Sequence, residues 1–173
     1  MTKRFKNKYR IPTNRLPGYD YGVDGWYFVT ICTKNRMHYF GEIVETCNCA
    51  SLRPTATGMI ANEYWLQIPQ HYPFVQLDAF VIMPDHIHGI LFFNNHDKTD
   101  WKPNKFGAQS RNLGAVIRGF KSSLKRNTNQ NNIDFAWQPR FHDRIIRSQE
   151  ELDAVRNYIA QNPVKWIAGK QNK

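Results

Sequence analysis

The segment LDAFVIMPDHIHGILFF, residues Leu77–Phe93, carries the clearest folding signal in this 173-residue chain. Leu77–Met83 is apolar and contains aromatic and β-branched residues, a composition that predicts a β-strand. Pro84 and Asp85 are typical turn residues, and the apolar run that resumes over Ile87–Phe93 predicts a second strand. We therefore expect the segment to fold as a β-hairpin.

The residues before this hairpin predict two strands and one helix. Trp26–Thr33 (WYFVTICT) is rich in aromatic and β-branched residues and predicts a strand, and His38–Glu45 predicts a second, weaker one. Pro54–Ile68 has apolar residues at helical spacing, so it predicts a helix that Thr57 could cap and that ends before Pro69.

The residues after the hairpin predict two more helices. Leu113–Arg126 has an amphipathic helical pattern, and Phe135–Ile146 is expected to be extended or turn-like. A last helix should begin at Ser148, where Ser-Gln-Glu-Glu matches a capping box, and end near Gln161, because Pro163 disfavours helix before it. Strands and helices in this order, without a regular βαβ alternation, indicate an α+β domain with a mainly antiparallel sheet.

Length and composition indicate one domain, residues 1–173, with residues 1–24 as a basic N-terminal arm. No apolar run approaches the ~20 residues that span a bilayer, and no apolar stretch follows the basic N-terminus. We therefore expect a cytoplasmic protein that does not enter the membrane. The three cysteines, an odd number, are expected to be reduced thiols: Cys32, Cys47 and Cys49.

The charge of the chain indicates a polyanionic partner. It has 24 Lys+Arg against 14 Asp+Glu, a formal net charge of +10, and a pI near 9.7. Nucleic acid is the partner that such a charge favours, although a basic surface could also serve solubility alone. On the helix predicted at Leu113–Arg126, Arg118, Lys121 and Lys125 lie together on one side and are candidate contacts to DNA.

Two histidines in the predicted hairpin are candidate metal ligands. His86 and His88 are two residues apart, and residues i and i+2 of a strand point to the same face. Two imidazoles on one side of a rigid strand form half of a metal site, with Ile87 directed into the core. The alternative is that each histidine is an ordinary buried structural residue.

Tyr158 and Asn162 form a second candidate pair. They are four residues apart, so they share a helix face if the last helix reaches Asn162. A tyrosine oxygen can attack a phosphodiester and form a covalent phosphotyrosine, while a divalent cation polarises the phosphoryl oxygens. Two imidazoles and an amide oxygen suit Mn²⁺, and Mg²⁺ could be used in the cell. The alternative is that Tyr158 packs at the core margin and Asn162 terminates the helix.

Three blocks of sequence resemble the single-tyrosine HUH transposases, and most closely their REP-associated tyrosine transposase branch. The blocks are YFVTICTKNR (Tyr27–Arg36), FVIMPDHIHGILFF (Phe80–Phe93) and WQPRFHDRIIRSQEELDAVRNYIAQNPVKW (Trp137–Trp166). The second contains the His-hydrophobe-His motif of the superfamily, and the third contains the family's Tyr-Ile-x-x-Asn-Pro pattern. The resemblance extends from Tyr27 to Trp166.

The resemblance implies a ferredoxin-like α+β fold and an enzyme that nicks and rejoins single-stranded DNA near hairpins. It implies that Tyr158 is the nucleophile, that a 5′-phosphotyrosine forms, and that no nucleotide cofactor is needed. It implies that His86, His88 and Asn162 hold a divalent metal, Mg²⁺ or Mn²⁺. Within the third block we expect Arg140, Arg144 and Arg147 to contact the DNA backbone, or else to form local ion pairs in a surface turn.

Two other functions are compatible with the sequence. A non-catalytic module could bind nucleic acid while retaining the same scaffold. A Zn²⁺ hydrolase could use His86 and His88, but no third ligand stands at a usual spacing, and Asp85 is expected to face away from the metal side of the strand. The resemblance is compatible with a monomer and with a homodimer.

Overall fold

A computed structural model of the chain describes residues 16, 18–46, 49–96 and 110–171. Within them it contains six strands and four α-helices, in this chain order: β1 (Gly25–Cys32), β2 (Gly41–Thr46), β3 (Cys49–Pro54), α1 (Ala56–Leu66), α2 (Ile68–His71), β4 (Val75–Met83), β5 (His86–Phe93), α3 (Leu113–Gln130), β6 (His142–Ile146) and α4 (Gln149–Gln171).

The predicted hairpin is confirmed as β4 and β5, joined by a turn at Pro84 and Asp85. Strands β4, β5, β1 and β6 form, in that order, a sheet in which every neighbouring pair is antiparallel. With α1 and α3 as its two crossover helices, this is the ferredoxin-like α+β arrangement that the resemblance implies. Strands β2 and β3 form a separate two-stranded sheet between β1 and α1 in the chain.

The two faces of the four-stranded sheet bury different residues because side chains alternate along each strand. Helices α1 and α3 cover one face, where a large apolar core includes Trp65, Ile87 and Phe120. Helix α4 covers the other face with a smaller apolar cluster: Ile90, Ile146, Leu152, Val155 and Ile159. His86 and His88 alternate with Ile87 and therefore lie on the α4 face.

The chain between β1 and β4 differs from the prediction in three ways. Residues Cys49–Pro54 form β3, which was not predicted, and the helix begins only at Ala56. The prediction that Thr57 caps this helix is wrong. Thr55 is the cap, because its side chain accepts a hydrogen bond from the backbone N–H of Gly58 at 3.1 Å, whereas Thr57 is buried.

The last two helices are longer than predicted. α3 continues to Gln130, beyond the predicted end at Arg126, and α4 continues to Gln171 with Pro163 inside it. The predicted start of α4 is confirmed: Ser148 Oγ accepts from the backbone N–H of Glu151, whose carboxylate accepts from the backbone N–H of Arg147. Proline removes one helical hydrogen bond but does not end this helix.

Parts of the sequence-based description lie outside the described residues. The structure does not describe residues 1–15 and 17 of the predicted basic arm. It also does not describe Cys47 or residues 97–109. No helix in the described part of the chain combines the length and the apolar character needed to cross a bilayer.

Candidate active site

His86 and His88 are the first and third residues of β5, and the prediction that they share one face is confirmed. Both are buried, each about 5% exposed, and their ring centroids are 4.5 Å apart. Antiparallel pairing with β1 sets Thr30 opposite His88 and Cys32 opposite His86. Two imidazoles are thus held side by side on rigid backbone beneath α4.

The surroundings of His88 favour a neutral imidazole. Burial lowers the pKa of His88 to about 3, and nearby His86 and Arg36 act in the same direction. Its Nδ1 is 2.8 Å from Thr30 Oγ1, and its ring stacks on Phe28 with centroids 5.3 Å apart. A neutral ring with Nδ1 occupied can direct the lone pair of Nε2 towards a ligand.

Tyr158 approaches the histidines from α4. Its hydroxyl oxygen is 3.3 Å from His88 Nε2, and the two rings are 5.2 Å apart. The side chain is nevertheless 42% exposed, and the ammonium of Lys165 lies 5.9 Å from its ring centroid. A phenolic oxygen beside a buried imidazole, on a side chain that is partly open to solvent, can be reached by a large substrate.

An ion pair fixes the part of α4 that carries Tyr158. Arg156 donates two hydrogen bonds to the carboxylate of Asp78 in β4. Its Nε donates to Oδ1 at 2.9 Å, and a terminal nitrogen donates to Oδ2 at 2.6 Å. The hydrogen bond from Arg156 lowers the pKa of Asp78, against the opposing effect of burial. Asp78 lies where the β4–β5 register shifts, between Leu77 and Phe80. The register shift in β4 therefore lies at Asp78, the residue whose carboxylate binds Arg156 of α4.

Asn162 and Trp166 extend this helix face beyond Tyr158 at successive intervals of four residues. The sequence placed Asn162 on the same helix face as Tyr158 if the last helix reached it, and α4 does continue past Asn162. Asn162 is about 9% exposed. The ring of Trp166 lies 6.0 Å from that of His86 and 5.5 Å from that of His38. The continuation of α4 through Pro163 therefore brings an indole to the edge of the histidine pair.

The donor set of this site fits a divalent cation with mixed nitrogen and oxygen ligands. His86 and His88 offer two imidazoles, and Asn162 is a buried amide on the helix above them. In the described ranges, no group of three or more His, Cys, Asp or Glu residues is arranged to hold a metal. The structure therefore gives no support to the zinc hydrolase alternative, which needs a third such ligand.

The expectation that Asp85 faces away from the histidines is wrong. Its Oδ1 lies 2.5 Å from Nδ1 of His86. Asp85 belongs to the turn before β5, so strand alternation does not apply to it. It contacts the ring nitrogen next to the backbone and is a partner of His86.

The basic residues predicted on α3 lie on the opposite side of the sheet from Tyr158. Arg118 is exposed, whereas the side-chain amines of Lys121 and Lys125 donate hydrogen bonds to backbone carbonyls. Lys121 Nζ donates to the carbonyls of Gln138 and Arg140 at 2.7 and 2.9 Å, and Lys125 Nζ donates to that of Phe135 at 2.6 Å. Burial lowers the pKa of Lys121. Both lysines hold the segment before β6, and their contact with DNA stays a prediction.

The arginines predicted around β6 have different surroundings. Arg144 forms an ion pair with Glu151, which also accepts from the backbone N–H of Arg147. Arg140 is exposed and has a left-handed backbone conformation, with φ of 67°. The local ion pair that the sequence left open is therefore present for Arg144, and its contact with DNA stays a prediction.

Four residues at the site were not predicted from sequence: Thr30, Arg36, Asp85 and Trp166. Thr30 and Arg36 belong to the first block of the family resemblance, and a β1–β5 pairing would have set Thr30 beside His88. Trp166 could be placed only once α4 was known to pass Pro163.

Comparisons with known proteins give relatives of similar length, although no family model matches the chain. A Haemophilus influenzae protein named "Uncharacterized protein" is 31% identical over 163 residues, covering 88% of this chain and 87% of its own. Another from the same species, "Putative REP-associated tyrosine transposase", is 27% identical over 152 residues, covering 84% and 74%. A solved structure of a REP-associated tyrosine transposase bound to a REP hairpin matches the fold, with a TM-score of 0.60, 21% identity, and coverage of 88% and 74%.

Proposed function

Because this chain belongs to the REP-associated tyrosine transposase family, we propose that it cuts and rejoins single-stranded DNA beside hairpins. The observation that carries the proposal is the position of the Tyr158 hydroxyl, 3.3 Å from Nε2 of the buried His88.

The proposed chemistry is a transesterification. The Tyr158 oxygen attacks the phosphorus of a DNA phosphodiester, a P–O bond to tyrosine forms, and the P–O3′ bond breaks. The tyrosine proton ends on the released 3′ oxygen, leaving a 5′-phosphotyrosine and a free 3′ hydroxyl. Attack of a 3′ hydroxyl on the phosphotyrosine reverses the step and rejoins the strand. One bond forms as another breaks, so no nucleotide cofactor is consumed.

Divalent metal is the proposed cofactor, with His86, His88 and Asn162 as the residues that would hold it. When bound, Mg²⁺ or Mn²⁺ would neutralise charge on the phosphate and orient it towards Tyr158. A metal held by two imidazoles and one amide would have coordination positions left for oxygen atoms of the substrate. The low pKa of His88 supports this assignment, because a protonated imidazole cannot be a ligand.

Hairpin or single-stranded DNA is the proposed partner. The chain carries a formal net charge of +10, and a protein of the same fold has been solved bound to a REP hairpin. Phosphate contacts from Arg118, Arg140, Arg144 and Arg147 would contribute to binding without reading sequence.

A covalent-adduct assay tests the proposal. The protein is incubated with labelled hairpin oligonucleotides taken from the DNA around its own gene, with Mn²⁺, Mg²⁺ or EDTA, and separated under denaturing conditions. We expect a metal-dependent protein–DNA band that Tyr158→Phe abolishes. Tyr64→Phe is the matched control, because it removes the hydroxyl of a half-buried tyrosine on the opposite side of the sheet.

The outcome separates the enzyme from the binding module. Hairpin binding without a covalent band from the wild type would favour a module that binds nucleic acid and does not cut it. A band that survives Tyr158→Phe would remove this tyrosine from the role of nucleophile. A band of equal intensity in EDTA would remove the metal from the reaction.

A further inference from the structure

The two histidines of the site have different partners at Nδ1. His86 Nδ1 is 2.5 Å from the carboxylate of Asp85, whereas His88 Nδ1 is 2.8 Å from the hydroxyl of Thr30. A hydroxyl can donate or accept, but a carboxylate only accepts. The contact with Asp85 therefore requires that Nδ1 of His86 carries a proton, and in the neutral ring the lone pair is then on Nε2.

Asp85 is held in place from several sides. Its backbone carbonyl accepts two hydrogen bonds from Thr33, from the backbone N–H at 2.9 Å and from Oγ1 at 3.0 Å. Its second carboxylate oxygen pairs with Nε of Arg36 at 2.7 Å. The residue is 3% exposed, so the carboxylate cannot turn to solvent without breaking these contacts.

The turn that presents Arg36 has an unusual backbone. Asn35 and Arg36 both adopt left-handed conformations, with φ of 53° and 57°. Non-glycine residues in this conformation cluster at functional sites, where the surrounding structure holds them in place. Here the turn directs the guanidinium onto Asp85 and onto Cys32 Sγ, 2.9 Å away. Cys32 is paired with His86 across the sheet, so the contacts converge on one histidine.

We propose that Asp85 and Arg36 are positioning residues for the metal site: Asp85 fixes the tautomer and direction of the His86 ring, and Arg36 fixes Asp85. This inference rests on the proposed function, which makes His86 a metal ligand. Histidines that bind metals commonly donate their second N–H to a carboxylate, and loss of that partner lowers metal affinity by roughly ten- to a hundredfold.

The first test needs no metal and no DNA. Long-range ¹⁵N–¹H NMR spectra of the metal-free protein report which ring nitrogen of each histidine is protonated. We expect the Nδ1–H form for His86 in the wild type. In Asp85→Asn the amide can donate to Nδ1, so the Nε2–H form should increase. Asp24→Asn is the matched control, because Asp24 also contacts a histidine, His96, near the other end of β1.

The second test measures binding of Mn²⁺ alone, by electron paramagnetic resonance. We expect Asp85→Asn to weaken binding by roughly ten- to a hundredfold. Arg36→Gln should weaken it in the same direction by a smaller factor, because the contact between Asp85 and His86 remains. Asp24→Asn should bind Mn²⁺ as the wild type does.

Each outcome bears on a different claim. An Nε2–H tautomer of His86 in the wild type would overturn the role of Asp85, as would unchanged tautomer and Mn²⁺ affinity in Asp85→Asn. Unchanged affinity in Arg36→Gln would overturn the role of Arg36. Should Asp85→Asn fail to fold, the wild-type tautomer and Arg36→Gln still decide the matter. If the wild type has the Nδ1–H tautomer but does not bind Mn²⁺, the metal assignment fails and the tautomer assignment stands.

Discussion

Gly89 packs directly against a buried indole, and we predict that Gly89→Ala destabilises the protein strongly. A Cβ added at this position would lie 2.2 Å from Cζ2 and 2.8 Å from Cη2 of Trp65. Ordinary carbon contacts begin at about 3.5 Å, so the indole or β5 would have to move by more than about 1 Å. Trp65 is fully buried and contacts Phe80 and Phe120, which leaves little room for that shift.

The expected cost follows from this geometry. Extra methyl groups in well-packed cores cost about 1–3 kcal/mol. We expect about 3 kcal/mol here, because the added Cβ is fixed to the β5 backbone and meets a buried indole directly. For a chain of this size that cost lowers Tm by about 6–12 °C. Urea and thermal unfolding measure it. Gly169→Ala is the control, because an added Cβ there meets no atom within 4 Å and alanine favours helix.

A double-mutant cycle tests the cause. Trp65→Phe removes the ring atoms that a Cβ on residue 89 would meet, so Gly89→Ala should cost at least about 1 kcal/mol less in that background. The reasoning would be refuted by a Gly89→Ala protein within about 0.5 kcal/mol of the wild type. It would also be refuted if the substitution cost the same in both backgrounds.

Further predictions concern α4, the metal ligands and the basic residues. Arg156 lowers the pKa of Asp78, so the Asp78 carboxylate should contribute fully to stability above the unfolded-state pKa, near 3.8. That contribution should disappear as the pH falls through the lower pKa of the folded state. Urea unfolding from about pH 2 to 7 should therefore show the free energies of unfolding of Asp78→Asn and the wild type becoming equal in acid. His86→Ala should abolish adduct formation while leaving hairpin affinity nearly unchanged, and equal loss of both would count against a metal role. Arg118→Ala should reduce the salt dependence of DNA binding by about one unit of slope, and an unchanged slope would exclude Arg118 from the interface. Lys121→Ala should destabilise the protein by roughly 1 kcal/mol, since its amine holds two carbonyls, and a wild-type Tm would show that this contact contributes little.

Three of the four strands of the main sheet could be predicted because they are apolar and flanked by clear turn residues, whereas β6, with the sequence HDRII, was expected only to be extended or turn-like. Gly25–Cys32, Val75–Met83 and His86–Phe93 match the predicted strands within a few residues. β3 was missed because CASLRP has little β-branched or alternating character, and it is stabilised by pairing with β2. Pairing between segments distant in the chain is not visible to a local pattern.

The candidate site was predictable to the extent that it follows local periodicity. The alternation of a strand predicted that His86 and His88 share a face, and helical spacing predicted the same for Tyr158 and Asn162. The contacts of Asp85, Arg36 and Thr30 depend on a turn with left-handed residues and on the β1–β5 register, neither of which periodicity reveals. Similarly, Lys121 and Lys125 form a basic stripe in sequence, but the segment before β6 covers their amines.

Pro163 divides α4 into two units, residues 149–162 and residues 163–171, between which a helical hydrogen bond is missing. Proline has no N–H to bond the carbonyl of Ile159, so the hydrogen-bond ladder is broken one turn after Tyr158. The unit before the break is held by its apolar cluster and by Arg156, while Val164 in the unit after it is 59% exposed. Amide hydrogen exchange should therefore be faster after residue 163 than before it. Opening of the second unit would withdraw Trp166 from His86 and widen access to the histidines, while Tyr158 stays in register with them.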